Sequence, residues 1–78
     1  MVLQEVKLTL QELAEKVFKE NGVDIYKANI CLIEEDEDSI DILGTDYADE
    51  FLETHGYKEV ISYSYDEGRK TLNAKVKA

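Results

Sequence analysis

The chain reads as an α+β domain in which two helices pack on one face of an antiparallel sheet, in the order (β)αββαββ. Three observations predict this. Two segments repeat their apolar residues with a helical period. Four others run or alternate with a strand period and are joined by short polar turns. Finally, 78 residues leave room for one core only, so 1–78 is expected to be a single domain.

The first helix is expected over 10–21, where Leu10, Leu13, Ala14, Val17 and Phe18 form one apolar stripe. Thr9 with Glu12 matches a capping box, and Asn21-Gly22 supplies a left-handed stop. Upstream, residues 1–8 read as either a short strand or an ordered arm. If they form a strand, the order becomes ferredoxin-like with one extra edge strand.

Residues 25–34 read as a strand and 39–43 as its hairpin partner, with the acidic run Glu34-Glu35-Asp36-Glu37-Asp38 at the turn. Because Ile30-Cys31-Leu32-Ile33 is apolar on both faces, the first of these strands should be central or partly covered on its second face. The expected register places Leu32 opposite Ile40 and Ile30 opposite Ile42; a one-residue slip would pair Ile33 with Ile40. A second helix is expected over 46–55, capped by Thr45 or Asp46, ended by Gly56, and burying Tyr47, Ala48, Phe51, Leu52 and His55. A last hairpin, 57–65 with 70–77, is expected to turn at Glu67-Gly68. Tyr63 would then face Leu72, and Ile61 would face Ala74. The segments ending at Gly22 and Gly56 resemble each other at an offset of 34 residues, which supports the repeated helix-then-hairpin order.

Composition excludes several classes of function. One cysteine permits neither a disulfide framework nor a cysteine-rich zinc site. No apolar run has the length of a membrane span and no signal segment opens the chain, so a cytoplasmic protein is expected. Phosphate-cradling glycine motifs are absent. Asp36 to Asp41 fails the calcium-loop pattern, since Ile40 and Asp41 occupy its fifth and glycine positions. Cys31 and His55 are the only nucleophile and base of their types and fall in different elements, the first in a core strand and the second at a helix end. No catalytic residue, metal or cofactor is expected.

The charge is the positive signal. The formal net charge is −9, and residues 24–56 alone hold eleven acids against one lysine. On the second helix Asp46, Asp49, Glu50 and Glu53 fall at i, i+3, i+4 and i+7, with no basic residue among them. The first helix differs, since Glu12 with Lys16 and Glu15 with Lys19 make favourable i,i+4 pairs. The hairpin adds Glu34, Glu35, Asp36, Glu37, Asp38 and Asp41. These ten carboxylates are the candidate partner-binding residues. Such a face repels nucleic acid and suits a basic groove that normally holds it, with carboxylates standing in for phosphates. The plainer reading is a solvated face that aids solubility.

The segments TLQELAEKVF and YADEFLETHGYKEVISYSYDEGRKTLNAKV, with an acidic turn between them, resemble small acidic accessory proteins of phages and conjugative elements from Gram-positive bacteria. The resemblance spans 8–77. Several such proteins are anti-CRISPR or other anti-defence inhibitors, some acting as nucleic-acid mimics. The resemblance therefore implies a non-enzymatic inhibitor in the cytoplasm of a bacterial host, with a basic nucleic-acid-binding protein such as a CRISPR nuclease as partner. It carries over no site residue. Two alternatives stand beside it. One is an oligomerising accessory module, a homodimer joined through a strand edge or the second face of 30–33. The other is a small-molecule sequestering protein or enzyme.

Overall fold

The computed structural model describes residues 8–78. The strand or arm expected over 1–8 therefore lies outside the described residues except for Leu8, and the ferredoxin-like alternative goes with it.

Helix α1 spans Leu10–Glu20. Its start is fixed reciprocally: Thr9 N–H donates to Glu12 Oε1 at 3.1 Å and Glu12 N–H to Thr9 Oγ1 at 3.2 Å. Asn21 and Gly22, at φ +65°, end it. The expected strand over 25–34 divides instead. A 3-10 turn covers Ile25–Lys27, held by the Asp24 side chain accepting from Tyr26 N–H, and strand β1 follows at Asn29–Glu35. That local side-chain bond offers the backbone an alternative to strand pairing. Strand β2 is Ile40–Tyr47, four residues longer at its end than expected. Helix α2 is Ala48–His55, and strands β3 and β4 are Val60–Asp66 and Thr71–Lys77.

The sheet order is β2-β1-β4-β3. Both hairpins are antiparallel, and they join through a parallel pairing of β1 with β4, so the sheet is mixed. Both helices lie on one face. Leu10, Leu13, Val17 and Phe18 of α1, with Ala48 and Phe51 of α2, cover Ile30, Leu32, Leu72, Ala74 and Val76. Each fully buried Leu, Ile, Val or Phe contributes roughly 1.5–3 kcal/mol of transfer free energy. The resemblance at an offset of 34 holds for element order only: β1, which opens the first hairpin, is inside the sheet, whereas β3, which opens the second, is at its edge.

Neither expected register of the first hairpin forms. Glu35 faces Ile40, Ile33 faces Ile42 and Leu32 faces Gly44. The turn takes all of 36–39, closed by Asp36 N–H donating to Ser39 O at 2.8 Å. A bulge then inserts Leu43 before Gly44, whose φ of +88° only glycine adopts readily. In the second hairpin Tyr63 faces Ala74 and Tyr65 faces Leu72. The even register is kept, but the turn is two residues longer, 67–70, with Lys70 at φ +50°. Ile61 sits in a bulge opposite no residue.

The helix predicted from 46 starts two residues later because Thr45, Asp46 and Tyr47 are paired with Cys31, Ile30 and Asn29. Thr45 and Asp46 are thus strand residues, and Tyr47, expected in the buried stripe, is 62% exposed. Gly56 ends α2 in a right-handed conformation. It is glycine for space, since a side chain there would meet the Leu52 carbonyl and Gln11 Cβ. This contact brings the end of α2 against the start of α1, where Gln11 N–H donates to Gly56 O at 3.0 Å and Leu10 N–H to Lys58 O at 2.8 Å.

Candidate functional site

The fold sorts the ten candidate carboxylates into partnered and unpartnered groups. Glu34 is inward, on the helix face of β1 with Ile30 and Leu32, and receives the Lys58 ammonium in a largely shielded ion pair. That hydrogen bond holds the Lys58 ammonium above its ordinary pKa of 10.5, against a smaller opposing effect of burial. Glu35 points to the other face and meets Lys75 Nζ at 3.6 Å. Other basic residues of the last third are also engaged, Lys77 with Glu59 at 3.7 Å and Arg69 with Asp66 at 3.9 Å.

Asp36, Glu37, Asp38, Asp41, Asp46, Asp49, Glu50 and Glu53 have no ion-pair partner among the described residues. Two of them do local backbone work. Asp36 Oδ1 accepts from Glu37 N–H at 2.7 Å, and Asp46 Oδ1 accepts from Tyr47 N–H at 2.8 Å. The unpartnered acids form two groups, at opposite ends of β2. Asp36, Glu37 and Asp38 occupy the β1–β2 turn, with Asp41 just beyond it in β2. Asp46, Asp49 and Glu50 lie around the other end of β2, a strand of eight residues. Helix α2 then runs back and carries Glu53 with it, while Lys58 and Glu34 form a neutral pair at the turn end of β1.

Asp49 and Glu53 also edge a groove between α1 and α2 with a volume of about 640 Å³. Its floor is apolar, formed by Phe18, Val23, Ile25 and Leu52. Glu15, Lys19 and Tyr26 complete the rim. Sequence patterns miss this groove because its two walls are brought together only by the antiparallel packing of the helices.

The remaining chemistry is sparse. Cys31 lies on the open face of the sheet, opposite to Ile30 and Leu32, whereas His55 lies in α2 on the covered side, so the sheet separates them. His55 Nδ1 is 2.6 Å from Thr54 Oγ1, and its ring meets Phe51 edge-on. Among the described residues no three His, Cys, Asp or Glu side chains are arranged to hold a metal ion. No described helix is long and apolar enough to cross a membrane.

The open face has its own feature. Ile40, Ile42 and Tyr47 of β2 are 59%, 76% and 62% exposed there, beside Ile33 and Cys31. Comparison of the chain with family models, curated proteins and solved structures gives no match.

Proposed function

We propose that the protein is a non-enzymatic inhibitor that occludes a basic nucleic-acid-binding surface by presenting carboxylates where phosphates would lie. One observation carries this reading. The basic residues Lys58, Lys75, Lys77 and Arg69 pair with carboxylates outside α2, which leaves Asp49, Glu50 and Glu53 without an ion pair among the described residues, on a helix that has no Lys or Arg. The positive end of α2 favours Asp49 and Glu50 in its first turn but not Glu53, and like charges one turn apart cost a few tenths of a kcal/mol per pair, a repulsion that a positively charged partner would relieve. A positive groove does so, and such a contact associates fast and weakens with salt. The anti-defence class suits this chemistry, with a nucleic-acid-guided nuclease of the bacterial cytoplasm as partner.

The experiment is capture from a bacterial lysate on the tagged chain at low and high salt, followed by competition with the nucleic acid of the captured protein. Enrichment of one nuclease, its release at high salt and its displacement by nucleic acid support the reading. Capture that is insensitive to both salt and nucleic acid overturns it.

A second reading is favoured by the exposed Ile40, Ile42 and Tyr47, an apolar patch larger than the isolated exposed residues usual on a surface. A second copy of the chain, packed face to face across a two-fold axis, would cover it. A sedimentation coefficient that stays dimeric on dilution and after reversal of Glu50 and Glu53 selects this reading over the first.

A further inference from the structure

The groove between α1 and α2 combines two properties that a phosphate mimic alone would not need. Val23, Ile25 and Leu52 are only half-covered by the chain's own core and offer apolar surface at its floor. Three carboxylates and one ammonium surround that floor, with Asp49 and Glu53 on the α2 side, and Glu15 and Lys19 on the α1 side. Glu15 is steadied by Gln11 Nε2, 3.3 Å from its Oε1. Tyr26, 73% exposed, stands at the open end, an aromatic ring of the kind enriched at protein contacts.

An apolar floor within an acidic rim complements an apolar side chain flanked by cations. The walls have the right length for such a segment: α1 contributes from Gln11 to Lys19, about 12 Å or two helical turns. Nucleic acid and anionic lipid are repelled by the same rim. The geometry points to this groove as the seat for a basic amphipathic helix of the partner, with a Leu, Met or Phe on the floor and Lys or Arg one turn to either side against Asp49, Glu53 and Glu15. The inference rests on the acidic-face reading and adds to it an apolar anchor, which would supply residence time as the charges supply encounter rate.

The test titrates the isotope-labelled full chain with two probes of about 14 residues, the length at which an isolated helix becomes marginally stable. One is an amphipathic Leu/Lys helix and the other an oligolysine of equal charge. Amide shifts on α1, α2 and 23–26 that appear with the Leu/Lys probe, at an affinity about tenfold or more above that of oligolysine, are expected from burial of one leucine. Equal affinities with shifts spread over the acidic residues would overturn the groove while leaving the acidic-face reading intact. Shifts confined to the exposed face around Ile40 and Ile42 would also overturn it. Binding of neither probe at low salt would overturn both readings.

Discussion

Lys58, in the turn after α2, donates to the Glu34 carboxylate at the end of β1, and the two side chains shield each other from water. The pair joins the helix layer to the sheet and removes one of the ten candidate carboxylates from the accessible surface. Lys58→Met should therefore destabilise the fold by about 1.5–3 kcal/mol, because the half-buried Glu34 charge loses its donor. The double variant with Glu34→Met should recover part of that loss, since two apolar groups leave no unpaired charge. Urea unfolding of the three proteins measures both effects.

The same ammonium and the Tyr65 hydroxyl predict alkaline sensitivity. The hydrogen bond with Glu34 raises Lys58 above 10.5, and burial, aided by Glu67 and Asp66, raises Tyr65 above 10.0. In both cases the folded state holds its proton more tightly than the unfolded chain. Their contribution is complete below about pH 10 and is lost as the pH rises through the folded values. The urea midpoint should be level between about pH 7 and 9 and fall above 10, with a smaller fall in Lys58→Met.

Tyr65 Oη is buried with no hydrogen-bond partner among the described residues, while the ring lies edge-on to Phe18 with centroids 5.9 Å apart. Tyr65→Phe keeps the ring contact and removes the unsatisfied hydroxyl. It should be neutral or stabilising by up to about 1 kcal/mol, seen as an unchanged or higher Tm. A clear loss of stability would mean that the hydroxyl is satisfied.

Gly56→Ala should cost about 1–3 kcal/mol, because the new methyl group collides with the Leu52 carbonyl and presses on Gln11 Cβ at 3.3 Å. Since φ there is −59°, the penalty is steric and not conformational. Gly44→Ala has open space but a φ of +88°, so its cost, about 1–2 kcal/mol, comes from the backbone. The contrast is measurable by denaturation and by the amide shifts at Leu10 and Gln11, which only the first variant should move.

What was legible in the sequence follows from how local each signal is. Helix α1 could be read almost to the residue because its cap, stripe and stop all lie within fourteen positions. The hairpins were legible as pairs, but their registers depend on turn length, and neither turn has the Asn-Gly or Asp-Gly signature that fixes one. Gly44 was the available clue in the first hairpin, since a glycine inside a strand pattern marks a bulge. Thr45 and Asp46 misled in the other direction: they are good cap residues by type, yet pairing with β1 claims them for the sheet. Tyr63 was expected to face Leu72. It faces buried Ala74 but stays 55% exposed, because β3 is an outer strand.

The acidic candidates were legible as a stretch of chain and not as a surface. Sequence places Glu34 and Glu35 beside Asp36 without showing that Lys58 and Lys75, 24 and 40 positions away, return to neutralise them. Folding thus narrows ten carboxylates to eight and divides these between the turn end of β2 and its far end, where α2 begins. It also creates the groove beside Asp49 and Glu53, which no local pattern encodes.

In the proposed function, the unpaired carboxylates of α2 recognise the partner as a specific site and not as general negative charge. The most direct measurement is the affinity of the captured partner for Glu50→Lys with Glu53→Lys, beside Glu67→Lys in the β3–β4 turn, outside the candidate carboxylates and toward the opposite edge of the sheet from β2, all at about 0.1 M salt. A loss of roughly tenfold or more is expected for the α2 reversal, with little change for Glu67→Lys and unaltered unfolding midpoints for both. Equal affinities across the three proteins, or equal losses for the two sites, would contradict it.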